Sequence, residues 1–322
     1  MSYPHSKHHI SILFSGITCL LLLIFAGCKK DNLENFNNAT PTLYQYIDTG
    51  KHFNLYRAAL KRAGIYNAAT FSNEGPFTIF VPVDSAFIKA GLNLENIEKQ
   101  NPADLAALLK YSIVNGKLSS TSLLGFYSQA VTCANPDYQP TITKNYYGIF
   151  FNGIPVSANG SISLNDGVIH ELQRLPLLPA GNLYTTISGM PNLSLFLAAL
   201  KRGGNDVMVK TGWWFDGRPI TVLAPDNNAW NKLGYHSEAD IENEDPDKLR
   251  SWILDNQYIS PNVNFTANFK GGYNFSDQFL YVLADGMTLV SKGNVSQTHI
   301  TQPDIIASNG VLHVIDQAFV QR

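Results

Sequence analysis

The chain has 322 residues and 45% hydrophobic content, enough for two domains at about 150 residues each and for cores of ordinary size, which excludes collagen-like, disordered and polytopic membrane classes. Basic side chains number 23 and acidic ones 25, a net charge of −2, too near neutrality for a surface that binds nucleic acid by counterion release. The three cysteines, Cys19, Cys28 and Cys133, are too few and too segregated for a disulfide framework.

Residues 10–28 read ISILFSGITCLLLLIFAGC, an apolar run preceded by Lys7 and free of acidic residues. That is the layout of a secretory signal, and its core is marginal for spanning a hydrocarbon layer of about 30 Å. The ending Phe25-Ala26-Gly27-Cys28 resembles a bacterial lipoprotein box. Phe25 departs from the usual aliphatic residue. The box implies cleavage before Cys28 and acylation of its thiol, palmitate included; the competing reading is an uncleaved anchor helix, and both place the chain on a membrane. Residues 1–27 are therefore expected to be a lipoprotein signal peptide. Residues 28–41 are polar and without apolar period, and are expected to be a flexible tether. Lys29-Lys30-Asp31 beside the lipid site is compatible with retention at the outer membrane, with display at the cell surface a further step.

The remainder is written twice. Ala58-Ala59-Leu60-Lys61-Arg62 recurs as Ala198-Ala199-Leu200-Lys201-Arg202, Thr78-Ile79-Phe80-Val81-Pro82 as Thr221-Val222-Leu223-Ala224-Pro225, and Gly167-Val168-Ile169-His170 as Gly310-Val311-Leu312-His313. Same-order anchors at near-constant offset indicate duplication, here into domains 42–178 and 182–322 joined near Leu178-Pro179-Ala180-Gly181. Each is expected to open with an amphipathic helix, built on Leu55, Tyr56, Ala59, Leu60 and Ala63 or on Leu193, Phe196, Leu197 and Leu200, and stopped by Gly64 or Gly203-Gly204. A short β-rich run ends at Pro82, after which Asp84 is placed to cap a helix closed by Gly91; Pro225, Asn227 and Gly234 repeat the pattern. Further helices are expected after Asn101-Pro102 and Asp245-Pro246. Short strand-like segments follow, among them 141–143, 149–151, 154–156, 162–164 and 281–283. Helices early and strands late argue for an α+β class, a mainly antiparallel β wedge or sandwich with helices packed at one side.

The stretch Thr78-Ile79-Phe80-Val81-Pro82-Val83-Asp84-Ser85-Ala86-Phe87 resembles the first signature of the fasciclin-like domain, as does Thr221-Val222-Leu223-Ala224-Pro225-Asp226-Asn227-Asn228-Ala229-Trp230. Asn309 to Asp316 resembles its second signature closely, and Asp166 to Gln173 less so. The resemblance covers nearly all of residues 42–322. It implies a non-catalytic cell-surface or extracellular module for adhesion or ligand binding, with a protein or polysaccharide partner and no cofactor. The Tyr-His pair that many members carry between the signatures is replaced by Tyr111-Ser112, and by Asp255-Asn256 or Asn256-Gln257, so receptor binding through that pair does not transfer. The alternative function is a glycan-binding accessory of a surface nutrient-uptake system.

Local chemistry is sparse. His170 and His313 occupy one equivalent strand position, without a second ligand at metal spacing, and are read as structural. Cys133 has no Lys, Arg or His nearby to lower its pKa and is read as unreactive. The acidic run Asp240 to Asp245 lacks the layout of a calcium loop and is read as solvated caps. No metal site is assigned. The candidate ligand contact is Trp213, Trp214 and Phe215, bracketed by Gly212 and Gly217, where exposed rings would stack on sugars or anchor a protein. A 143-residue offset sets Trp214 on Phe71, which points to packing there and leaves Trp213 to project. The rings of Asn145 to Phe151 raise the same question, since strand alternation would hide half of them.

Overall fold

The computed structural model describes residues 40–319 except 73–74, 124, 126, 213–216, 257, 260–261 and 277–279. Each repeat opens one helix earlier than its sequence pattern indicates. Leu43–Thr49 starts at Thr42, whose hydroxyl accepts from the Gln45 amide in a capping box. Its counterpart Leu183–Ser188 starts at Asn182, whose side chain accepts from the Thr185 amide. These short helices bury two side chains each, Leu43 with Ile47 and Leu183 with Ile187, too few for a helical period to stand out. The expected amphipathic helices follow, Asn54–Arg62 and Ser194–Gly203. Leu55, Tyr56, Ala59 and Leu60 of one, and Leu195, Phe196, Ala199 and Leu200 of the other, are buried.

In the first repeat the strands are β1 (Phe77–Pro82), β2 (Ile113–Asn115), β3 (Tyr127–Ala130), β4 (Thr141–Asn145), β5 (Gly148–Phe151), β6 (Ile154–Ser163) and β7 (Gly167–Leu172). In the second they are β8 (Ile220–Pro225), β9 (Tyr258–Ile259), β10 (Tyr273–Ser276), β11 (Leu280–Val282), β12 (Thr288–Ser291), β13 (Thr298–Ala307) and β14 (Gly310–Ile315). One sheet runs β2-β1-β7-β6-β5-β4-β3 and the other β9-β8-β14-β13-β12-β11-β10, the same path traced twice. Pairing is antiparallel except at one place in each sheet, where β1 lies parallel to β7 and β8 parallel to β14. The curled sheets are therefore mixed, and the helices of each repeat cover one side.

The parallel pair is the centre of each core. All six residues of β1 and of β8 are buried, as expected for a strand covered on both faces. Phe77, Ile79 and Val81 pack with the helices, whereas Phe80 packs with Ile142, Phe151 and Leu172 on the other side of the sheet. Ile220, Val222 and Ala224 likewise join the helical core, and Leu223 joins Leu289, Ile300 and Phe319. Gly167 stands opposite Phe77, and Gly310 opposite Ile220. A Cβ on Gly167 would lie 2.3 Å from the Phe77 carbonyl oxygen and 2.5 Å from Leu43 Cδ1; on Gly310 it would lie 2.0 Å from the Ile220 carbonyl oxygen and 2.9 Å from Leu183 Cδ1. The opening helix, first strand and last strand of each repeat meet at a point where no side chain fits.

Asp84 does not cap the helix that follows β1. The helix Asp84–Lys89 has Val83 at its cap, directly after the proline, and valine has no acceptor to offer. As first helical residue Asp84 reaches back to the helix Asn54–Arg62 instead: Oδ1 accepts from the Leu55 amide at 2.8 Å and Oδ2 from Asn54 Nδ2 at 3.0 Å. In the second repeat Asp226 occupies the cap of Asn227–Lys232 and accepts from the Ala229 amide, while Asn227 Oδ1 accepts from the Leu195 amide. The element order is thus held by a bond from the β1 or β8 exit to the first turn of the long helix.

Asp84→Ala and Asn227→Ala should each destabilise the chain by about 0.5 to 2 kcal/mol in urea unfolding, through the lost acceptor at the first turn of Asn54–Arg62 or Ser194–Gly203. Gly167→Ala and Gly310→Ala should cost about 1 to 3 kcal/mol or more by the same measurement, since backbone must move to admit the methyl group. Unchanged midpoints for the glycine variants would show that the strand pair tolerates separation.

Candidate functional site

Cys28, Trp213, Trp214 and Phe215 lie outside the described residues. Of the two residues that the 143-residue offset aligns, Phe71 is described and Trp214 is not. Fully buried Phe71 belongs to the helix Ala68–Ser72, whose counterpart Asp206–Thr211 places Met208 and Val209 in the core. The connection from this helix to the first strand is therefore 212–219 in the second repeat against 73–76 in the first. A Cβ on Gly212 would lie 2.6 Å from the Gly217 carbonyl oxygen and 2.7 Å from that of Arg218, so the ends of the longer connection touch.

The chemically suggestive residues of the core have internal tasks. His170 Nε2 donates to the Leu118 carbonyl at 2.9 Å and Nδ1 lies 2.8 Å from Ser161 Oγ. His313 Nε2 donates to the Asn264 carbonyl at 2.9 Å, and its Nδ1 accepts from the Asp304 amide at 3.1 Å. A carbonyl can only accept, so the proton sits on Nε2 in both rings. Burial pushes both imidazoles below their ordinary pKa, and each neutral ring braces the last strand of its repeat to the segment after β2 or β9. The Cys133 thiol donates to the carbonyls of Asn135 and Tyr138, and burial raises its pKa, the opposite of an activated thiolate. Tyr111 is buried, with its hydroxyl accepting from Asn152 Nδ2 at 2.7 Å, and the Ser112 hydroxyl donates to the Leu109 carbonyl; the side chains at 255–257 lie outside the described residues.

The acidic run supplies helix ends and pairs. Ser237 and Asp240 form a capping box, and Asp245 Oδ1 accepts from the Asp247 amide at the start of Pro246–Asn256. Hydrogen bonds from Tyr235 and Lys248 hold Glu244 well below the usual carboxylate range. Among the described residues no group of three His, Cys, Asp or Glu could hold a metal ion, and no helix is long and apolar enough to cross a membrane.

The ring-rich stretch Asn145 to Phe151 resolves into tip and strand rather than alternate faces. Tyr146 and Tyr147, at the β4–β5 turn, are 89% and 56% exposed, whereas Phe150 and Phe151 are both buried. Phe151 faces its own repeat's core. Phe150 points the other way and packs with Phe265, Ala267 and Val311 of the second repeat, which is why alternation left neither ring in solvent. Around that contact Asn145 Nδ2 donates to the Ala267 carbonyl at 2.7 Å, and Asn268 Nδ2 donates to Ser128 Oγ at 2.6 Å.

Asp304 secures the second repeat's side of this seam. It sits at φ 57° where the β13–β14 register shifts between Gln302 and Ile305. Its Oδ1 accepts from the Thr266 amide and Oδ2 from the Thr266 hydroxyl, each at 2.7 Å, which orients the helix Thr266–Phe269 that bears Ala267 and Asn268. A Cβ on Gly153 would lie 2.8 Å from Asp304 Oδ2, so glycine is again needed for close approach. Sequence reasoning missed the seam because its partners lie far apart in the chain; the visible signal was Pro303-Asp304 interrupting a strand.

Beside the seam runs a cleft of about 870 Å³, bounded by the helix Asp84–Lys89, the segment 174–180, the helix Leu183–Ser188 and residues 303–306. Its wall combines Leu175, Leu178, Ile305 and Ile306 with Lys89 and Arg174. Its size falls in the range of about 300 to 1,000 Å³ typical of small-molecule sites, and the mix of apolar wall and few charges is also typical of them.

The Fasciclin domain model matches residues 51–179 and again residues 191–321. Fasciclin-like arabinogalactan protein elcF of Phaeosphaeria nodorum is 24% identical over 318 residues, spanning 93% of this chain and 91% of that protein. Human periostin is 24% identical over 263 residues, 77% of this chain but 28% of periostin. Protein sll1483 of Synechocystis is 27% identical over 145 residues, 43% of this chain and 74% of its own length. A solved FAS1 domain pair from the insect cell adhesion molecule Fasciclin I covers 83% of this chain and 96% of its own, at 15% identity and a TM-score of 0.37. The chain belongs to the Fasciclin domain family and carries the domain twice.

Proposed function

We propose that the protein is a non-catalytic lipoprotein of the cell envelope, tied to the outer membrane by acyl chains on Cys28, whose tandem fasciclin domains recognise a protein or polysaccharide at the cell surface. The observation that carries this reading is the double family match over 51–179 and 191–321, since fasciclin-domain proteins are typically adhesion or matrix-binding proteins without catalysis. The commitment of His170, His313 and Cys133 to internal hydrogen bonds supports it, because a nucleophile or base needs a free or activated group. The anchor rests on the signal-like run and Cys28. Several acyl chains on one cysteine would give durable attachment where a single chain gives marginal binding.

A second reading, a glycan-binding accessory of a nutrient-uptake system, is favoured by the exposure of Tyr146 and Tyr147 at one hairpin tip. Large rigid rings in solvent suit stacking on sugar faces.

In cells of the native host, the wild-type chain should partition into the detergent phase and label with radioactive palmitate. Cys28→Ser should lose the label and appear in the aqueous phase after export; continued detergent partitioning would favour an uncleaved helix. On arrays of matrix proteins and polysaccharides, cells carrying the gene should bind a surface that deletion cells do not. Equal binding by both strains would overturn the adhesion reading, and selective loss of glycan binding in Tyr146→Ala/Tyr147→Ala would favour the second.

A further inference from the structure

The cleft beside the seam has a charge imbalance that defines what fits it. Lys89 and Arg174 are exposed at its wall and neither makes an ion pair among the described residues. The one carboxylate on the wall among the described residues is Asp304, and both its oxygens are occupied by Thr266. Its side chain is 9% exposed. The wall therefore carries two cations without ion-pair partners against one carboxylate whose oxygens are already engaged, a net positive charge.

One stretch of the wall is apolar, and Asn152, Thr185 and Thr186 add neutral polar groups elsewhere on it. Leu175 and Leu178 come from the connecting segment, Ile305 and Ile306 from the strand that bears Asp304. Leu177, next to them, is 66% exposed. Burying such surface is favourable at about 25 cal/mol per Å², and a cation at the edge of a partly enclosed space attracts an anion more strongly than one in open water. A guanidinium also presents paired donors that match a carboxylate.

We propose that this cleft binds a free amphiphilic carboxylate, with the tail along Leu175, Leu178, Ile305 and Ile306 and the carboxylate between Lys89 and Arg174. The concave shape and a volume of about 870 Å³ suit a single small molecule rather than a polymer or a bilayer surface. Because the walls come from both repeats, occupancy would bridge them. The site is separate from the surface-recognition reading and stands or falls without it.

The test titrates the full chain in lipid nanodiscs with octanoate by calorimetry, against empty nanodiscs. Octanol and octylammonium serve as neutral and cationic analogues of the same tail. Octanoate should bind at one site per chain, at least tenfold more tightly than either analogue. Lys89→Gln/Arg174→Gln should weaken octanoate at least tenfold and leave octanol unchanged. No octanoate heat beyond that of empty discs, equal affinity for octanoate and octanol, or an unaltered affinity in the folded double variant would overturn the proposal. Should the double variant fail to fold, the analogue series on the wild-type chain decides the case alone.

Discussion

Both halves of this molecule depend on one contact, the parallel pairing of the strand that opens each sheet with the strand that ends each repeat. Parallel neighbours cannot be joined by a tight turn, so everything between β1 and β7, helices and antiparallel strands alike, is the connection between them. Chain segments ninety residues apart must be in register before either face of the sheet is covered. That requirement explains why the two family signatures fall where they do: one is β1 with its exit, the other is β7 or β14 with the glycine at its start. The pair at Phe77 and Gly167, or Ile220 and Gly310, is a backbone-to-backbone approach, a steric demand that hydrophobic content alone does not make.

The same demand explains what was legible. Repetition, class, helix stops and the places of several strands could be read because they follow from apolar period, glycine and proline, which act locally. The opening helices at Leu43 and Leu183 were missed because two buried residues make no period. Asp84 was assigned to the wrong helix because an acid after a proline looks like a cap whichever helix it serves; only the direction of the side chain decides, and Val83 had taken the nearer position. A constant offset does not show that the crossing before the first strand is 73–76 in one repeat and 212–219 in the other.

The seam was illegible for a different reason. Phe150 belongs by sequence to a hairpin whose outer face should be wet, yet the second repeat covers it. A contact between repeats leaves no mark in the pattern of either one, since each pattern records only its own core. Asn145, Asn268 and Asp304 are ordinary turn or bulge residues until the partners at Ala267, Ser128 and Thr266 are known. With these bonds the tandem is one body with a furrow along the join, and Lys89 and Arg174 from the first repeat share a wall with Ile305 and Ile306 from the second.

The connection at 212–219 has a consequence for how such a pair can diverge. Its ends are pinned together by Gly212 against the carbonyls of Gly217 and Arg218, and the hydrophobic duty of that region is discharged upstream by Met208 and Val209. The duplicated halves are therefore asymmetric here: between equivalent helix and strand the crossing takes eight residues in one copy and four in the other.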